Sequence, residues 1–436
     1  MSLKGDGNVY RRLGEKIDSL TVKAPWNETW HSILKELYTA EEADVVAKMP
    51  YTLSSLDRIA RVTRVEKRQL QPILERLCKK GLVLDLWNKK DRQYYYLSCP
   101  LVIGIFEFTM MRKSGHLNTG HWAELFHKYF ANVYEANFSN DEKMSVLRVI
   151  PIEETIKTGF QTQFLDYERA TSLIESADKL AMGICSCRNE KLHIGEKKCD
   201  APLDNCSMLG IGADYMIRNN LAREVSKSEM LENFARSKEL GLVLSAANTT
   251  RIPIAICHCC KCCCNFLAGL SKFGYVNCVT TSNFISNIDV TLCVGCGKCE
   301  DKCPLNAIGL ISADDPKNLK AKKGLVDTKL CAGCGVCVSV CSKDAIELMP
   351  RESRVIYPES LFEMTMLACL ERGTLQNQIF DNPQSITQQF MRVFVGAFLK
   401  LQPVKKTLMS NMLRSTFLDV AKGIARMQGK GWIIEL

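Results

Sequence analysis

Apolar positions recur at helical spacing through the first hundred residues. "NETWHSILKELYTAEEADVVAKM" (27–49) puts Trp30, Ile33, Leu34 and Leu37 on one face. "SSLDRIARVT" (54–63) predicts a short helix with Leu56, Ile59 and Ala60 inward. Thr63 and Glu66 have capping-box spacing for a third helix, which turns Leu70, Ile73, Leu74 and Leu77 inward and stops at Gly81. Alternation then takes over, and "LVLDLWNKKDRQYYYL" (82–97) predicts a hairpin. Residues 101–251 look mainly helical outside a cysteine-rich loop. From Pro350 onward, "ITQQFMRVFVGAFLKL" and "KKTLMSNMLRSTFLDVAKGIARM" are amphipathic. No apolar run is long enough to span a bilayer; "LVIGIFEFTMM" (101–111) is short and contains Glu107.

Three helices and a hairpin in this order resemble a winged helix-turn-helix. From Asp57 to Arg92 the chain has eleven Lys or Arg against five Asp or Glu, which favours nucleic-acid contact through residues 55–95. Pro72 inside the third helix weighs against it, and winged folds also dock proteins. Residues 391–436 carry eight Lys or Arg and two Asp or Glu, a basic amphipathic pattern suited to a membrane surface or to packing against other helices. The overall charge of +9 on 436 residues decides none of these.

Cysteine content changes the picture. Of 22 cysteines, all but Cys78, Cys99 and Cys369 lie between Cys185 and Cys341. The opening residues, "MSLKGDGNVYRRLGEKIDSL", contain no secretory signal. The expected setting is therefore cytoplasmic, where thiols stay reduced and dense cysteine means metal or redox chemistry. "CVGCGKCEDKCP" (293–304) and "CAGCGVCVSVCS" (331–342) both have C-x2-C-x2-C-x3-C spacing, in which the fourth cysteine of each run ligates the other cluster. One [4Fe–4S] cluster is thus assigned to Cys293, Cys296, Cys299 and Cys341, the other to Cys331, Cys334, Cys337 and Cys303. The segment from Asp289 to Met349 resembles a bacterial two-cluster ferredoxin, which implies a two-fold β-α-β fold and low-potential one-electron transfer.

Two further sets lie upstream. Cys185, Cys187, Cys199 and Cys206 read as a third [4Fe–4S] site, with zinc as the alternative and Arg188 beside it. "AICHCCKCCCNFL" (255–267) holds six cysteines in eight positions. Cys257, Cys260 and Cys263 repeat the ferredoxin spacing, and Cys278 could supply a fourth ligand to a fourth cluster. Cys259, Cys262 and Cys264 are offset metal ligands or reactive thiols. Among the scattered His31, His116, His121, His127, His193 and His258, only His258 sits inside a cysteine run, as a candidate ligand or proton donor. No dinucleotide or P-loop fingerprint is present.

The order of parts (winged module, CxCR loop, CHCCKCCC run, then "SNFxxxxD" at 282–289 leading into the repeat) is similar to a broad group of bacterial and archaeal cytosolic 4Fe–4S proteins. That resemblance implies an electron carrier or oxidoreductase subunit of an anaerobe, with no defined substrate. The expected fold is α+β and multidomain: a winged-helix-like domain over 1–100, a cysteine-rich, mainly helical domain over 101–288, a two-cluster ferredoxin domain over 289–349 and a helical segment over 350–436. The expected function is relay of single low-potential electrons through three or four [4Fe–4S] clusters to or from a partner oxidoreductase. The alternatives are a redox-sensing DNA-binding regulator and a reductase that acts on a disulfide or other activated substrate at Cys257–Cys264.

Overall fold

The computed structural model describes residues 3–112, 118–138, 144–316, 318–410 and 412–435. His116 lies outside the described residues. The chain forms two compact units. One comprises Met1–Met144, Tyr215–Leu221 and Ser360–Leu436, and the other Ser145–Asp214 and Ala222–Glu359.

In the first unit, helices span Glu28–Leu37, Ala40–Lys48, Leu56–Thr63 and Lys67–Lys79. Asn27 caps the first of these, its side chain accepting the Trp30 amide. Trp30 is fully buried and stacks on Tyr129 with ring centroids 5.2 Å apart. The capping box expected at Thr63 and Glu66 does not form. Thr63 is the last residue of its helix and donates its hydroxyl to the Ile59 carbonyl, while Glu66 makes no side-chain cap. Thr39 and Glu42 form a capping box instead, splitting the 27–49 stretch into two helices. Strands β1 (Ser54–Ser55), β2 (Val83–Asn88) and β3 (Gln93–Ser98) form a sheet in the order β1-β3-β2. The β2–β3 hairpin pairs Val83 with Ser98 through Asn88 with Gln93.

The C-terminal helices belong to this unit. Helix Leu361–Arg372 packs Leu367, Cys369 and Leu370 against Leu399 and Leu418. Asp381 is buried and accepts hydrogen bonds from Thr52, Arg58 (2.6 Å) and Lys430 (2.8 Å). Helix Ile386–Leu399, in contrast, leaves Ile386, Phe390, Val393, Phe394 and Phe398 exposed along one stripe. Among the described residues, no helix is long and apolar enough to cross a membrane.

The second unit adds a sheet to the mainly helical segment expected over 101–288. Its middle segment is built on a six-stranded sheet of β4 (Leu147–Ile150), β5 (Leu180–Gly183), β6 (Cys206–Leu209), β7 (Ala222–Glu224), β8 (Val243–Ala247) and β9 (Ala255–Cys259). The order is β4-β8-β9-β6-β5-β7, every neighbouring pair antiparallel. Helices Ala170–Ser176 and Lys227–Glu239 bring Leu173, Ile174, Met230 and Phe234 onto a core with Met182, Leu209, Leu244 and Ile256. Two β-α-β passes follow: β10 (Phe284–Ile288), helix Lys298–Lys302 and β11 (Ile308–Ser312), then β12 (Lys322–Val326), helix Val336–Ser339 and β13 (Ile346–Pro350). The passes interlock, β10 pairing with β13 and β11 with β12.

Candidate metal centres

Each cysteine run of the two passes forms a loop that turns into a short helix. Gly295 and Gly333 sit in these loops at φ +65° and +68°, and a Cβ on either would collide with Lys322 O or Phe284 O. Only glycine gives the loops this left-handed turn and close approach. Cys303, from the first run, acts electrostatically on Cys334 and Cys337 of the second, and Cys299 acts on Cys337, so the two runs lie close together. Cys293 and Cys296 act likewise on Cys299. Backbone and hydroxyl donors reach the sulfurs. The Ala307 amide donates to Cys303 Sγ at 3.2 Å and the Gly324 amide to Cys293 Sγ at 3.4 Å, while Ser286 Oγ lies 3.1 Å from Cys337 Sγ.

The upstream cysteines are divided by the sheet. β9 ends at Cys259, so Cys257 and Cys259 project from one face and His258 from the other. The β6–β9 register places Cys206 beside Cys257, and the two thiols hydrogen-bond. Contacts continue from Cys257 to Cys259, from Cys259 to Cys264, and from Cys264 to Cys187. Cys185 adds its charge to Cys257. Cys187 lies in helix Ser186–His193, and Cys264 precedes helix Asn265–Ser271. Asn265 donates to the buried Glu190 carboxylate at 2.6 Å and ties these two helices together.

Cys199 does not join Cys185, Cys187 and Cys206 as its position in the sequence suggested. It lies with Cys260, Cys262 and Cys263, all four sulfurs within 4.8 Å of one another. Nor does Cys278 reach the Cys257 run. It is fully buried, and burial alone pushes its thiol up. Thus the three-ligand reading Cys257, Cys260 and Cys263 is split, because Cys257 belongs to the strand and the other two to the turn beyond it.

Arg188 is buried between the two sulfur groups. It donates to Pro202 O at 2.7 Å, to Asn205 Oδ1 and to His258 O. Its Nε has no hydrogen-bond partner among the described residues. The Cys263 thiol, and after it the Arg188 guanidinium, hold the Cys260 thiol below its ordinary range, against burial. His258 turns its ring into the core, edge-on to Phe234, with Nε2 2.8 Å from Ser207 Oγ. Burial, then the Arg188 charge, push it down to about 3, so it is neutral at ordinary pH. It stands on the face opposite Cys257 and Cys259, which removes it from their candidate ligands.

Residues 292–345 match the 4Fe–4S dicluster domain. No curated protein and no solved structure matches the chain. The match spans all eight cysteines of the two runs, and the glycine turns and N–H donors at sulfur suit the binding of [4Fe–4S] cofactors. Sequence reasoning missed several supports of this domain. Ser282 donates to Gly333 O at 2.8 Å, and Arg351 anchors on the carbonyls of Ser282 and Cys331. Ser286 reaches Cys337. The SNF stretch signalled these contacts only as an ungrouped motif.

Proposed function

We propose that the protein is the electron-transfer component of an oxidoreductase system, exchanging single electrons with a partner protein through the dicluster domain and the cysteine-rich face of the six-stranded sheet. The dicluster domain, with its match at residues 292–345, carries this reading. When bound, [4Fe–4S] clusters supply one-electron redox chemistry. Cys293, Cys296, Cys299 and Cys341 would hold one, and Cys331, Cys334, Cys337 and Cys303 the other. Cys185, Cys187, Cys206, Cys257, Cys259 and Cys264 offer enough thiolates for a third.

The protein matrix supports communication between these sites. Gly241, at φ +67°, brings the backbone after helix Lys227–Glu239 against Val336 of the second cluster loop, and a Cβ there would stand 3.5 Å from Val336 Cγ1. Its neighbour Leu242 is buried with Cys260 and Cys263. Packing therefore runs from the dicluster loop to the turn after β9 that carries Cys260 and Cys263, next in the chain to Cys259 and Cys264 of the cysteine-rich face. Arg188 and Arg351 place positive charge near the thiolates, which favours more negative, reduced states.

Iron and acid-labile sulfide per chain, measured on anaerobically purified protein with EPR after dithionite reduction, test this reading. About twelve iron and twelve sulfide are expected, four of each per cluster. Fewer than about eight iron, or no reducible signal, would overturn it. Salt-dependent binding of duplex DNA that follows the redox state would favour the regulator reading of the first unit.

The exposed stripe on helix Ile386–Leu399 supports an anionic lipid surface as the place where this exchange occurs. Lys400 and Lys406 accompany the stripe, and no Asp or Glu occurs between Asp381 and Asp419.

A further inference from the structure

Cys199, Cys260, Cys262 and Cys263 differ in geometry from the sites above. Their Sγ separations are 3.5 Å for Cys199–Cys260, 3.9 Å for Cys199–Cys263, 4.0 Å for Cys260–Cys262 and 3.4 Å for Cys262–Cys263. Four thiolates around one tetrahedral ion with metal–sulfur bonds of about 2.3 Å stand about 3.8 Å apart. A cubane sets each thiolate on a different iron, so its four ligand sulfurs must spread by a further metal–metal separation. The observed tetrahedron is too small for that.

We propose that these four cysteines form a mononuclear tetrathiolate site that binds one zinc or iron ion, distinct from every iron–sulfur cluster in the chain. All four coordination positions are filled by protein sulfur, the pattern of a closed site rather than one that turns over substrate. Four thiolates on a divalent ion carry a net double negative charge. The buried Arg188, with its unpartnered Nε, lies against Cys260 and offsets part of it. Lys197 donates to the Cys199 carbonyl and adds positive charge at the same end.

The position suggests its effect. Cys259 and Cys260 are consecutive, as are Cys263 and Cys264. A metal held by Cys260, Cys262 and Cys263 would lock the turn that sets Cys259 and Cys264 on the neighbouring sulfur face. Cys199 would then fasten the Lys197–Ala201 loop to that turn.

The test uses the full chain, purified anaerobically. Metal analysis should find one zinc or one iron beyond the iron matched by acid-labile sulfide. X-ray absorption at the edge of a zinc occupant, or of cobalt substituted for it, should show a single sulfur shell at about 2.3 Å and no metal neighbour. A zinc occupant is silent in EPR, whereas an iron occupant, once oxidised by an added one-electron oxidant, gives a high-spin ferric signal separate from the clusters. Cys262→Ser should lose this one ion and leave the sulfide content unchanged. Cys262→His, which keeps a ligand at the half-buried corner, should retain it and guards against loss through misfolding. With cobalt added instead, the wild type should show thiolate-to-cobalt absorption bands that shift in Cys262→His. The proposal is overturned if Cys262→Ser removes about four iron with four sulfide, if a short metal–metal vector appears at the added metal, or if no such ion is present.

Discussion

Single positions carry sharp consequences. Gly295 and Gly333 combine positive φ with backbone carbonyls where a Cβ would stand. Gly333→Ala should cost ~1–3 kcal/mol in local strain and lower cluster iron by about four per chain, read as an iron-to-protein ratio. Asp381 tests a different effect. Burial works to raise its carboxyl, but the Lys430 charge and the bonds from Lys430, Thr52 and Arg58 outweigh it and hold the carboxyl below its ordinary value. A depressed folded value means the stabilisation is complete above the unfolded value, ~3.9, and fades as pH falls through the folded one. Thermal melts should therefore lose stability below about pH 4 in the wild type. Asp381→Asn should remove ~3 kcal/mol at neutral pH and flatten that dependence.

At the scale of elements, β9 makes the decisive division. Its two-residue period sends Cys257 and Cys259 to one face and His258 to the other, into contact with Ser207 and Phe234. His258→Gln should leave metal content unchanged and lower stability by ~1–3 kcal/mol, because a buried polar partner is lost. A drop in iron would instead mark a ligand. Helix Ile386–Leu399 gives a second prediction. Vesicles containing phosphatidylglycerol should co-sediment the protein, and pure phosphatidylcholine should not; Phe390→Asp with Phe394→Asp should abolish the binding. Self-association with no lipid preference would point to a second copy of the chain as the occupant. Legibility follows from the same periodicities. The 82–97 hairpin was readable because its turn and alternation agree, and the two C-x2-C-x2-C-x3-C runs because their ligand spacing is local. The six-stranded sheet was not readable. "LRVI", "LAMG" and "VLSAA" are four or five residues long and buried at every position, so they show no alternation and pass equally for helix. Cys199 was misplaced for a related reason: its partners lie about sixty residues away, and only the turn after β9 brings them close.

For the molecule as a whole, the clustered cysteines are confined to the second unit, although each unit has an apolar core of its own. The first unit contains Cys78, Cys99 and Cys369, all buried among apolar side chains with their thiols pushed up by burial. Every other cysteine belongs to the second unit. Stripping metal under a chelator should therefore unfold the second unit selectively. Hydrogen exchange should speed up at residues 293–303 and 331–341, while amides of Glu28–Leu37 and Leu361–Arg372 stay protected. Uniform loss of protection would show that the units do not melt independently.

The first unit is also discontinuous along the chain. Asp381 and Lys430 complete a network begun by Thr52 and Arg58, with the whole cysteine-rich unit encoded between them. During translation the ribosome exposes every cysteine of the second unit before the residues that close the first. A nascent chain would thus present its iron-loading half to the cell's assembly machinery while the half begun earlier is still open. In such a chain, the order of synthesis leaves a window for cofactor delivery before the first unit closes.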